Sequence, residues 1–209
     1  MAELIRELSI SQPPPPHKLT FEEFLAWANE DTWAEWVDGE VVMNSPVAVE
    51  HEDIVGFLYT LARLFVEHHD LGRVLVAPFL IKLGDRGREP DLMFVATANL
   101  GRLRKTYRDG PADLVVEVLS PESAARDRGD KYLEYEAGGV PEYWMLNPIR
   151  PWAEMCQLGE DGYYHQVFAG REGVYHSAAI PGFWLRLEWL WQQPLPHVLN
   201  ILKELGLVS

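Results

Sequence analysis

Two short stretches of the chain are apolar at almost every position, Leu92-Met93-Phe94-Val95 and Leu114-Val115-Val116-Glu117-Val118-Leu119. Pro90 precedes the first, and Pro111 and Pro121 bracket the second. Apolar runs this short between turn signals predict buried strands. A longer period governs Pro46 to about Asp70, where Ile54, Phe57, Leu58, Leu61, Leu64 and Phe65 recur at helical spacing. That pattern predicts a long amphipathic helix, ended by Leu71-Gly72. Thr20 and Glu23 have the spacing of a capping box and predict a helix through about Ala28. Asp38-Gly39 separates two alternating runs, Trp33 to Val37 and Glu40 to Met43, which is a hairpin signal.

Further along, Arg73 to Leu83 reads as one strand, followed by a turn rich in Gly and Arg. Residues 97–112 form a polar, basic connection without periodicity. Ser123 to Ala137 has helical spacing and is closed by Gly138-Gly139 as a C-cap. Glu142 to Leu146 predicts another strand, and from Trp152 onward a series of short strands leads to a helix near Pro196 to Leu205. The pattern is α/β (α+β), in one domain with additional C-terminal strands. Pro13 to Pro16 impose an extended polyproline stretch. Residues 1–16 are therefore expected to be an N-terminal arm, and 17–209 a single domain.

Composition narrows the function classes. With 209 residues and 47% hydrophobic positions, the chain can bury a substantial core. Its 8 Trp, 8 Tyr and 8 Phe argue against disorder. No apolar run reaches the roughly 18 residues of a membrane span, and Met1 to Ile10 lacks the apolar centre of a secretory leader. The single cysteine, Cys156, excludes an intramolecular disulfide and thiolate zinc clusters, and fits a reducing cytoplasm. A cytoplasmic location is the expectation. The net charge of -14 opposes a grip on nucleic-acid phosphates, which is built from Lys and Arg. Two basic groups run against that trend: Arg102, Arg104, Lys105 and Arg108, and Arg126, Arg128 and Lys131.

Candidate chemistry centres on Asp91 and Glu117. Five of the six nearest neighbours of Glu117 from Leu114 to Ser120 are apolar, and a carboxylate buried there needs a partner. Magnesium commonly takes one or two protein carboxylates and leaves its other positions to water and phosphate. Asp91 and Glu117 match that count, and the Val118 carbonyl is a natural third ligand. Lys131, on the following helix, could orient water or stabilise charge developing on a phosphate. The set points to metal-assisted phosphodiester hydrolysis, with manganese as a substitute metal.

Plainer readings exist for each residue. Asp91 could be a turn residue after Pro90, and Glu117 could pair with an arginine. Lys131 could be an exposed lysine paired with Asp127 one turn earlier. Glu35 sits on an apolar face of the hairpin, equally fit for function or structure. His51, in the first turn of the long helix, could approach a substrate or cap the helix. His68-His69 at its end complements the helix dipole. Ser120, Arg126, Arg128, Arg104 and Lys105 are candidate substrate contacts.

Several runs in this order resemble the Uma2 family, also called DUF820. They are Leu19-Thr20-Phe21-Glu22-Glu23-Phe24, Glu35-Trp36-Val37-Asp38-Gly39-Glu40-Val41, and Ser45-Pro46 with His51. The resemblance continues through Pro90 to Val95, Pro111 to Pro121, Arg126 to Lys131, and Gly139-Val140-Pro141-Glu142-Tyr143-Trp144. It spans about Leu19 to the Trp184 region. The family is placed in the PD-(D/E)XK superfamily, so the resemblance implies a restriction-endonuclease-like core, a central mixed β-sheet flanked by helices, and a magnesium-dependent endonuclease acting on DNA. Carried over, Asp91 is the motif aspartate, Glu117 the second acid, and Glu35 the N-terminal acid. The superfamily lysine normally lies two residues after the second acid, where this chain has Leu119, and Lys131 is the proposed substitute. Asn147 stands where the family commonly has Asp. The rival expectation is an inactive nuclease fold serving as a binding or regulatory module. A homodimer would suit cleavage of both strands.

Overall fold

The computed structural model describes residues 13–29, 32–44, 47–120 and 129–208. Residues 1–12 of the expected arm, the Pro46 start of the long helix, residues 123–128 of the expected Ser123 to Ala137 helix, and with them Arg126 and Arg128, lie outside the described residues.

Thr20 caps α1 (Phe21–Trp27), and both halves of the capping box are present. The hairpin pairs β1 (Ala34–Val37) with β2 (Glu40–Met43). Asp38 and Gly39 sit at φ 50° and 86°, the left-handed pair that a tight hairpin turn requires. α2 (Val49–His68) is the long amphipathic helix and buries Ile54, Phe57, Leu58, Leu61 and Phe65. The stretch expected as one strand divides at Pro78 into β3 (Gly72–Val76) and β4 (Leu80–Leu83), which enter different sheets. Proline lacks the N–H that a continuous ladder would use. The expected Gly/Arg turn also contains a strand, β5 (Arg86–Arg88), between β1 and β4.

After β6 (Leu92–Ala96), a 3₁₀ helix (Thr97–Arg102) leads to β7 (Tyr107–Asp109). Then come β8 (Leu114–Val118), α3 (Asp130–Ala137), β9 (Glu142–Asn147), β10 (Trp152–Leu158) and β11 (Tyr164–Gly170). The chain continues through β12 (Val174–His176), β13 (Trp184–Arg186), a second 3₁₀ helix (Leu187–Trp191) and α4 (Val198–Glu204).

A six-stranded mixed sheet, in the order β11-β10-β9-β8-β6-β3, forms the centre. Only the β8–β9 pairing within it is parallel. Alternation sends Leu92, Phe94, Leu114, Val116 and Val118 to the face covered by α2 and the C-terminal segments. Met93, Val95, Val115, Tyr143 and Met145 face the other way, where they pack with Tyr135 of α3 and Ile81 and Leu83 of β4. Burial on both faces explains why these strands read as continuous apolar runs. The five-stranded sheet, β2-β1-β5-β4-β7, has its own small core with Phe21 and Phe24 of α1.

A parallel pair requires a crossover connection, and α3 lies within the one joining β8 to β9. The crossover therefore lays α3 over the face that carries Glu117.

Candidate active site

Glu117 is 2% exposed, and Lys131 is 5% exposed. Lys131 is therefore not the exposed helical lysine weighed above, and Asp127 lies outside the described residues. The Lys131 Nζ lies 2.9 Å from Glu117 Oε1 and 3.3 Å from Glu35 Oε1. Tyr135, one turn beyond Lys131 on the same helix face, donates its hydroxyl to Glu117 Oε1 at 2.8 Å. Burial and the neighbouring Glu117 charge push the Tyr135 hydroxyl well above its usual range, so it remains a donor at neutral pH.

Asp91 immediately precedes the neighbouring strand, β6. The β6–β8 register ends at Leu92 opposite Val116, one position short of Asp91 and Glu117. Asp91 Oδ2 accepts the Val118 N–H at 2.6 Å, which ties its carboxylate to the strand carrying Glu117. His51, in the first turn of α2, brings Nε2 to 3.1 Å from the same oxygen. The Asp91 side chain retains 18% exposure, against 3% for Glu117, so the site opens to solvent at Asp91.

Glu35 occupies the centre of a buried network. Arg88 Nη1 donates to Glu35 Oε2 at 2.9 Å, and the Glu89 N–H donates to Glu35 Oε1 at 3.2 Å. Burial pushes the Glu35 carboxyl up, but Lys131 and Arg88 outweigh it and hold the net value below the ordinary one. Arg88 also forms a two-pronged pair with Glu134 of α3, at 2.6 and 2.7 Å. Burial opposes the Arg88 charge, yet the Glu134 hydrogen bond and the Glu35 charge raise its pKa further. Glu89 receives Asn44 Nδ2 at 2.9 Å. Burial, and then the Glu35 charge, push its carboxyl up to about 8.

The structure thus brings together Asp91, Glu117, Lys131, Glu35, Val118 and His51. Ser120 lines a cleft beside His51. Arg104 and Lys105 lie elsewhere. They follow the 3₁₀ helix that leaves β6 at its Ala96 end, away from Asp91. Arg104 bonds the Gly101 carbonyl and pairs with Asp109 at 3.6 Å. Arg108 is buried, donating to the Pro111 and Asn99 carbonyls. Sequence reasoning missed Arg88, Glu134 and Tyr135. The Lys131, Glu134, Tyr135 spacing of i, i+3 and i+4 was the available signal for the two helix residues.

Asp91, Glu117 and the Val118 carbonyl are hard oxygen donors at the ends of adjacent strands, a donor type and number that suit magnesium.

The Uma2 family model, described as "Putative restriction endonuclease", matches residues 21–188. No curated protein matches the chain. Among solved structures, one from Anabaena variabilis, titled as "a putative nuclease belonging to DUF820", superposes with a TM-score of 0.69 at 15% identity. The match covers 83% of this chain and 97% of that one. It shows a shared fold. No helix among the described residues is long and apolar enough to cross a membrane.

Proposed function

Because the chain belongs to the Uma2 family of restriction-endonuclease-like proteins, we propose that it is a magnesium-dependent endonuclease hydrolysing phosphodiester bonds in DNA. The observation that carries this reading is the buried lysine 2.9 Å from a strand glutamate, with an aspartate immediately before the adjacent strand. Asp91, Glu117 and the Val118 carbonyl would hold the metal, with manganese as a substitute. Bound there, magnesium supplies Lewis-acid polarisation of the phosphate and a more acidic water.

The protein's own groups have separable tasks. The Val118 N–H and His51 orient the Asp91 carboxylate from two sides. Tyr135 fixes Glu117 through Oε1. Lys131, reaching the site from a helix, places a positive charge beside the acids to orient the attacking water or to stabilise the phosphate in the transition state. Glu35 holds the lysine from behind without facing solvent. Two copies acting together would suit cleavage of both strands of a duplex.

One observation favours a second reading, a nuclease fold that acts as a binding or regulatory module. Lys131 is already held between two carboxylates, an arrangement that could serve stability alone. Calorimetric titration of magnesium and manganese into wild type and Asp91→Ala, with cleavage assays on DNA and RNA substrates, separates the two. Binding lost in the variant, together with metal-dependent cleavage by wild type, is the expected result. Absence of both metal binding and cleavage in wild type overturns the nuclease reading.

A further inference from the structure

A cleft of about 720 Å³ adjoins the candidate site. This falls within the range of roughly 300–1,000 Å³ typical of ligand pockets. His51 lines the cleft while contacting Asp91, and Leu119 and Ser120 line it directly after the strand bearing Glu117. The cleft and the acids therefore share a border.

Its walls are mainly apolar: Val49 and Ile54 of α2, Pro148 and Ile149 after β9, and Trp191 and Leu195 after β13. Gln192 and Gln193 add amides. Among the described residues, no lysine or arginine lines it, and its acidic members are Glu50 and Asp53. The described lining offers no cation to a phosphate backbone and carries two carboxylates that repel it. It is suited to the flat, largely uncharged faces of nucleobases, which bind by stacking and by edge hydrogen bonds. Arg104 and Arg108, near the other end of β6, are engaged locally and do not line the cleft.

We propose that this cleft receives unpaired nucleobases of the strand whose phosphodiester lies at Asp91. The inference rests on the nuclease reading and narrows its substrate class to single strands, or duplexes opened near the cleavage point. Because bases paired inside a duplex present no free face, intact duplex is the poorer ligand. Because the grip is on bases, affinity depends weakly on salt.

The test is binding of fluorescently labelled single-stranded DNA, single-stranded RNA and duplex DNA of equal length, in EDTA so that no metal-dependent cleavage intervenes. Wild type is expected to prefer either single strand over duplex by at least tenfold. Its single-strand affinity should fall less than about tenfold between 50 and 200 mM salt, against roughly 10³-fold or more for a protein contacting many phosphates. Trp191→Ala should weaken single-strand binding by roughly 5- to 160-fold, the range for loss of one stacking platform. Trp191 also donates to the Arg171 carbonyl at 2.8 Å, so Ile149→Asp on the exposed rim provides a second variant with less risk to folding. Equal duplex affinity, a steep salt dependence, or no loss in either folded variant overturns the proposal. Wild-type metal binding and cleavage, measured separately, tell the two readings apart. Cleavage with indifferent cleft variants defeats only the base cleft. Base binding that Trp191→Ala removes, without metal-dependent cleavage, defeats only the nuclease.

Discussion

Replacing Arg88 by methionine tests the buried network directly. Arg88 is 2% exposed and joins two carboxylates from different parts of the fold, Glu35 of β1 and Glu134 of α3. Its removal leaves both acids buried with less positive charge. Glu35 keeps Lys131 at 3.3 Å, and Glu134 keeps Arg86 at 3.1 Å. Breaking a buried pair by removing one partner typically costs about 3–5 kcal/mol. For a chain of this length, each kcal/mol lowers the melting temperature by roughly 2–4 °C, so Arg88→Met should melt about 6–20 °C below wild type. Glu134→Gln should cost less, about 1–3 kcal/mol, because Arg88 retains Glu35 and the amide can still accept a hydrogen bond. The double variant Arg88→Met/Glu134→Leu should recover part of the loss of Arg88→Met, since it removes one of the stranded carboxylates. Thermal and urea unfolding at neutral pH measure all three. A melting temperature for Arg88→Met within 2 °C of wild type would refute the reasoning, as would a double variant less stable than Arg88→Met alone.

Glu142 accepts hydrogen bonds from Trp144 Nε1, Tyr175 OH, Ser177 Oγ and the Ala179 N–H, at 2.6 to 3.2 Å. Glu142→Ala strands these donors and should cost at least about 3 kcal/mol in urea unfolding; a loss under 1 kcal/mol contradicts the assignment. The depressed Glu35 carboxyl contributes stability that is complete above its ordinary value of 4.5 and is lost as pH falls through its lower folded value. Wild type should therefore lose stability below pH 4.5 more steeply than Glu35→Gln, and parallel curves down to pH 3 would rule this out. Burial pushes the Cys156 thiol up to about 11, helped by Glu154. Native protein should react with a thiol reagent far more slowly than the urea-unfolded chain, and equal rates would show the thiol to be open.

Local signals were legible where the local rule and the tertiary demand agree. The capping box at Thr20 and the turn at Asp38-Gly39 are complete within a few residues, and both form as read. Glu117 was conspicuous because an acid in an apolar strand demands a partner, and its partners include Lys131 and Tyr135. The surroundings of Lys131 could not be read the same way. A lysine on a polar helix looks exposed until the β8–β9 crossover presses that helix on the sheet. Arg88 was hidden for a related reason. Three residues between the Gly84-Asp85 turn and Glu89-Pro90 give too short a pattern to reveal a strand, and the carboxylates that Arg88 meets are 53 and 46 positions away. Pro78 was visible but underweighted, and it sends β3 and β4 to different sheets.

Carrying the site lysine on α3 rather than on the strand beside the acid alters how the constellation comes apart. A strand lysine shares its backbone with the neighbouring carboxylate and can separate from it only when the ladder frays. Here the ammonium travels with a helix of eight residues, held by Tyr135 to Glu117 and by Glu134 to Arg88. Such a helix can lift in a local opening that leaves the six-stranded sheet intact. The fraction of molecules with an assembled lysine–glutamate pair is then set by the free energy of that opening. Amide hydrogen exchange along Asp130 to Ala137 would read this quantity, which melting temperature does not report.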